Sequence, residues 1–137
     1  MPIVPSEFEA PWWLTGPHAQ TIYPRFVSRP FRSPWRPERL ELPDGDFVDL
    51  QWGGPDDQPL VCLFHGLEGS GESGYIQGLR SALLEANYSS VLMHFRGCSG
   101  ENNRMARGYH SGDTGDIGFL MQTLLARFPG RKLSAAG

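Results

Sequence analysis

Two short segments gather the residue types that chemistry uses, and each stands at the end of an apolar run. His65-Gly66-Leu67-Glu68-Gly69-Ser70 follows Leu60 to Phe64, and His94-Phe95-Arg96-Gly97-Cys98-Ser99-Gly100 closes the run that starts at Ser89. A loop that leaves the carboxyl end of a buried strand and enters a helix is where ligands meet a parallel sheet. In the first segment glycines flank Leu67 and Glu68, so the backbone can turn tightly and free amide N–H groups to face a crevice. Such donors suit a developing oxyanion. A tight strand-to-helix turn with no chemistry fits the same spacing. His65 reads as a side chain that orders this loop by hydrogen bonding rather than as a general base.

In the second segment His94 and Cys98 stand four apart, with His110 further on, which raises the question of a metal. Structural zinc takes four convergent ligands, usually at paired spacings, so no metal is expected here. Cys98 beside Arg96 lacks a third group to orient a dyad, and an inert thiol is the expectation. Arg96 reads as a tie that holds its loop through carbonyls or a carboxylate. G-x-x-x-x-G-K is absent, and no G-x-G-x-x-G directly follows a strand, since four residues separate the one at Gly69 to Gly74 from the apolar run; no nucleotide cofactor is expected, nor any other,. A nucleophile elbow would read G-x-S-x-G. Gly71-Glu72-Ser73-Gly74 and Gly97-Cys98-Ser99-Gly100 each bring the second glycine one residue early.

The elements that must position these loops follow from pattern. Residues 1–37 form an aromatic and proline-rich arm with no defensible helical or alternating period, expected to be irregular. Its Phe8, Trp12, Trp13, Tyr23, Phe26, Phe31 and Trp35 are too many to leave in water, and a larger body is expected to cover them. Glu38 to Leu42 and Phe47 to Trp52 alternate in polarity around Pro43-Asp44-Gly45-Asp46, a hairpin with Gly45 at a positive φ. From Pro59 onward, short apolar runs alternate with segments of helical period, the grammar of buried parallel strands and crossover helices. Strands are expected at Leu60 to Phe64, Ser89 to Phe95 and Lys132 to Ala136. A helix over Tyr75 to Asn87 carries Ile76, Leu79, Leu83 and Ala86 on one face. A second, capped by Asp113 and stopped by Pro129-Gly130, carries Ile117, Leu120, Leu124 and Phe128. The class is α/β.

Composition agrees with one packed domain: 137 residues, 39% hydrophobic and 12% aromatic,. A formal charge of −3 without any basic run argues against nucleic acid as partner,. No apolar stretch approaches the roughly 20 residues of a membrane span, and the start lacks a signal-peptide pattern, so the cytoplasm is expected. Cys62 and Cys98 are expected to stay reduced.

Four motifs then bring a family into view. Pro11-Trp12-Trp13-Leu14-Thr15-Gly16-Pro17-His18-Ala19-Gln20-Thr21-Ile22-Tyr23-Pro24 resembles the opening of YheT-like hydrolases, and Leu40 to Leu50 looks like their first hairpin. His65 to Ser70 and His94 to Arg104 match the two loops of that branch. The resemblance implies the N-terminal part of an α/β-hydrolase fold, a β-hairpin followed by β-α-β-α-β with parallel strands. Residues 38–137 would be an incomplete α/β-hydrolase domain, with the strand at 60–64 lying between those at 90–95 and 132–137. It implies a carboxylic ester hydrolase acting by acyl transfer to serine and then water, on a small-molecule ester. In such enzymes one oxyanion donor comes from the loop after the third strand. By position that donor is the N–H of Leu67, with Gly66 shaping the turn and His65 ordering it. Gly137 stands where the elbow begins, so the serine, acid and histidine are expected outside the chain, which alone should be inactive. Two other readings are a non-catalytic binding or interaction module, and an enzyme using Cys98 with His94 or His110. Self-association through an uncovered sheet edge is also expected.

Overall fold

The computed structural model describes residues 8–27, 34–67 and 69–137. Its elements are α1 (Pro17–Val27), β1 (Arg36–Glu41), β2 (Phe47–Gly53), β3 (Leu60–Phe64), α2 (Gly74–Glu85), β4 (Ser89–Met93), α3 (Gly115–Arg127) and β5 (Leu133–Ala136). The strands form one sheet in the order β1-β2-β4-β3-β5. The hairpin β1–β2 and the β2–β4 pair are antiparallel, whereas β3 runs parallel to both β4 and β5. This is the strand order expected, with β3 between β4 and β5.

Side-chain alternation on the strands assigns each face to a helix. Leu60, Cys62, Val91 and Met93 meet Leu120 and Leu124 of α3, with Ile117 and Phe128 packed alongside. Val61, Leu63 and Leu92 meet Ile76 of α2, flanked by Leu79, Leu83 and Trp35. The expected stripes on both crossover helices are therefore the ones that pack on the sheet, with Ile76, Leu120 and Leu124 buried and the others partly so, apart from Ala86, which lies exposed beyond the end of α2.

Several local expectations are corrected. Residues 17–27 form a helix, although no period announced it, and Pro17 takes the first helical position, where its missing N–H costs nothing,. Trp12 and Phe26 are 89% and 80% exposed, so among the described arm residues the expected cover is not seen there; Trp35 alone joins a core cluster. Phe31 lies outside the described residues. β1 begins at Arg36, two residues before the alternation starts. β4 stops at Met93, because the Phe95 N–H leaves the ladder to bond the His65 ring. Asp113 does not cap α3: Thr114 holds the N-cap position, and the Asp113 carboxylate accepts from Arg107 Nη2 at 2.8 Å instead. No helix among the described residues is long and apolar enough to cross a membrane.

One buried ion cluster joins hairpin, loop and helix. The Arg96 guanidinium donates through Nε and Nη2 to both oxygens of Asp116 at 2.7 and 2.8 Å. Its Nη1 lies 2.8 Å from Asp44 and 3.0 Å from Asp46. Burial by itself would raise the carboxyl pKa of Asp46. The Asn103 amide, the backbone N–H groups of Arg104 and Phe47 and the Arg96 charge outweigh it, leaving that pKa at about 2. Because Asp46 is depressed below the ordinary value near 4, it binds its proton more readily in the unfolded chain. Its contribution is therefore complete above about pH 4 and lost as pH falls toward about 2, which urea melts across that range will show. Arg96→Met leaves Asp46 and Asp116 buried without their cation and should cost about 3–5 kcal/mol at pH 7 by the same melts.

Candidate active site

The carboxyl ends of β3 and β4 hold the two loops singled out by their residue types. His65, buried directly after β3, places Nδ1 2.9 Å from the Gly66 carbonyl, and its Nε2 lies 3.2 Å from the Phe95 N–H. A backbone N–H can only donate, so Nε2 is the acceptor and the proton sits on Nδ1. Both ring nitrogens are thus committed to the backbone, one to each loop. Burial lowers the His65 pKa, against a smaller opposing effect of the Gly66 carbonyl. His65 is placed to order the loop, and nothing in this geometry leaves it a free nitrogen for proton transfer.

The turn that follows is closed by the Gly69 N–H donating to the Gly66 carbonyl at 2.9 Å. A Cβ on Gly69 would stand 2.9 Å from that carbonyl oxygen and 3.0 Å from the His65 Cβ, so the position has no room for a side chain. The Gly66 N–H donates to the Tyr75 hydroxyl at 2.5 Å, tying the loop to the first turn of α2. Leu67 comes next, with its side chain 82% exposed. Among the described residues no acceptor takes its N–H. Gly66 and Leu67 line a crevice of about 250 Å³ together with His65, Phe95, Tyr109, His110 and Asp113. Tyr109 stacks on Phe95, with ring centroids 5.0 Å apart and planes at 12°.

The second loop does not join this arrangement as chemistry. His94 is buried, and its Nδ1 lies 3.2 Å from the Cys98 carbonyl oxygen, a contact to the backbone of Cys98 rather than to its thiol. Burial and, less strongly, the neighbouring His65 lower the His94 pKa. His110 accepts the Gly112 N–H at 3.1 Å. Burial pushes the Cys62 thiol up to about 11, which keeps it protonated and inert,. Among the described residues no three His, Cys, Asp or Glu side chains are grouped to hold a metal. Tyr75 and Tyr109 are not legible as site residues: their spacing marks helix and polar loop, and only the fold brings Tyr75 to the Gly66 N–H and Tyr109 to the crevice. Gly137 follows β5 at the same end of the sheet, where a Cβ would meet that of Phe64 at 3.0 Å.

A mixed sheet with a hairpin, parallel β4-β3-β5 and a turn of this form after β3 defines the class: the N-terminal part of an α/β-hydrolase fold. The chain is 46% identical over 124 residues to the Escherichia coli (strain K12) protein named "Putative esterase YheT", covering 88% of this chain and 36% of that one. It is 24% identical over 140 residues to the Caenorhabditis elegans protein abhd-3.2, covering 98% of this chain and 37% of that one. A solved structure from Xanthomonas campestris, described as an a/b serine hydrolase without lid, superposes with a TM-score of 0.61 at 23% identity. That match covers 78% of this chain and 51% of the other. No family model matches the chain. The chain has the fold of the α/β-hydrolases, and its sequence is similar to YheT; it spans about a third of the length of the curated relatives it matches.

The committed ring of His65 has a measurable consequence. Imidazole ¹⁵N spectra should show Nδ1 protonated and Nε2 bare, with no titration near the ordinary value of about 6.5. Since His65 and His94 are both depressed in the folded chain, the unfolded state takes up more protons below about pH 6.5. Stability is then complete above about pH 6.5 and declines as pH falls below it.

Proposed function

We propose that this chain supplies the oxyanion-binding half of a serine carboxylic ester hydrolase, with the Leu67 N–H as donor, Gly66 shaping the turn and His65 ordering it. The observation that carries the reading is the Leu67 N–H, which no acceptor takes among the described residues, on a residue that lines the crevice and in a turn that Gly69, His65 and Tyr75 hold from three sides. In the proposed reaction a serine hydroxyl attacks the ester carbonyl, and the carbonyl oxygen takes the negative charge. A preset N–H stabilises that oxygen more than the ground-state carbonyl, which is how it accelerates the step. The alkoxide leaves protonated, and water then releases the acid from serine by the same course. The substrate is a small-molecule ester. The cytoplasm, where Cys62 and Cys98 stay reduced, is the proposed location.

No G-x-S-x-G occurs in these residues, so the chain by itself should not turn over short p-nitrophenyl esters,. Turnover that disappears in Cys98→Ser would overturn the reading. Co-expression with the C-terminal two thirds of the Escherichia coli relative tests it positively. Esterase activity should appear, and Leu67→Pro, which deletes the N–H, should lower kcat by about 10²–10³ while Leu67→Ala changes it little.

A second reading, association with another polypeptide, is favoured by β5. Among the described residues only β3 pairs with it, and Ser134 and Ala135 lie exposed along the strand. Unpaired N–H and C=O groups on such a strand recruit another chain. Sedimentation of the purified chain should show self-association, and Ala135→Lys should shift it toward monomer.

A further inference from the structure

A hollow of about 400 Å³ lies at the opposite end of the sheet, where β1 and β4 begin and α3 ends. Along β3 this is about 15 Å from the crevice, at roughly 3.3 Å per residue. Trp52 and Phe128 contribute its aromatic surface, packed edge to face with centroids 5.9 Å apart. Three guanidinium groups stand around them, from Arg36, Arg127 and Arg131, against two carboxylates, from Glu38 and Asp56.

The carboxylates are already committed. Glu38 accepts from the Trp52 indole at 2.7 Å and pairs with Arg127 at 2.7 Å, and Asp56 pairs with Arg36 at 2.5 Å. Arg131 is different. Its Nε donates to the Gln58 carbonyl at 2.6 Å and its Nη2 to the Ser89 hydroxyl at 2.5 Å, both neutral acceptors. Among the described residues it has no carboxylate within ion-pair distance. Its guanidinium carbon lies 5.0 Å from the centroid of the Phe128 ring. Asp56 feels the Arg131 charge without pairing with it, and around the hollow three guanidinium groups outnumber two carboxylates. A cation already fixed by two hydrogen bonds to neutral acceptors and set beside aromatic surface has little freedom left to lose on binding an anion.

We propose that this hollow is a ligand site separate from the crevice, specific for an aromatic carboxylate. The carboxylate pairs with Arg131 and the ring lies against Trp52 and Phe128. The hollow falls within the size range of small-molecule sites, about 300–1,000 Å³. Its residues come from β1, the end of β2 and the loop after it, the first residue of β4, the end of α3 and the turn that follows α3.

Equilibrium dialysis of the 137-residue chain against 2-naphthoate, with 2-naphthamide as the neutral isostere, tests this. Naphthoate should bind at least tenfold more tightly than the amide. Arg131→Gln should lose at least tenfold in naphthoate affinity, and His110→Ala, in the crevice, should lose nothing. Equal binding of the two probes, unchanged binding in Arg131→Gln, or loss in His110→Ala would each overturn the proposal. Should Arg131→Gln fail to fold, the two-probe comparison on the unaltered chain decides alone.

Discussion

A buried guanidinium holds this fold in register. Arg96 has almost no contact with water, and a lone cation there would be expelled at a cost of several kcal/mol,. It is retained because Asp44, Asp46 and Asp116 reach it from the hairpin turn and from the first turn of α3. Each carboxylate belongs to a different arm of the chain or a different side of the turn, so satisfying the charge fixes where three segments meet. Asp46 extends the network by accepting from Asn103 and from the Arg104 and Phe47 backbone. The loop after β4 is therefore anchored at its start and again at its middle.

The crevice depends on a smaller version of the same logic. His65 carries no charge, and its neutrality is what lets one ring donate to its own loop and accept from the neighbouring one. With Gly69 too crowded for any side chain and Tyr75 holding Gly66, the backbone of the turn has few alternatives. The conformation of the turn that carries Leu67 to the lining of the crevice is thus imposed by its surroundings. Leu67 itself contributes only its peptide group.

The sequence made the core readable because its periods are set by burial. Ile117, Leu120 and Leu124 repeat at helical spacing because one stripe of α3 faces the sheet, and Leu60 to Leu63 are continuous because β3 is covered on both faces. What was missed depends on partners distant in sequence. Asp113 looks like a cap until Arg107 competes for its carboxylate. The strand at Ser89 reads two residues too long because the apolar Phe95 follows Val91 to Met93 after a single histidine, and only the His65 ring shows where the ladder breaks. Arg80 sits within the apolar period of α2, yet it is buried with its charge over the face of Trp35. Burial lowers its pKa to about 10, a compromise no local pattern could announce. Helix α1 escaped for the opposite reason, since its exposed Ile22, Tyr23 and Phe26 follow no core of their own.

The sheet order also constrains the sequence of events as the chain folds. β2 precedes β3 in the chain but takes its place beside β4, so β4 is inserted between two strands made before it. The hairpin can close early from local contacts, yet it has no sheet to join until residues 89–93 have been synthesised. Until then Val48 and Leu50 wait uncovered, and a loop of about 40 residues must be closed to seat them,. Such non-local closure is slow compared with hairpin and helix formation. The interval between making the hairpin and seating it is when this chain is most open to wrong pairing, and when a chaperone would have most to hold.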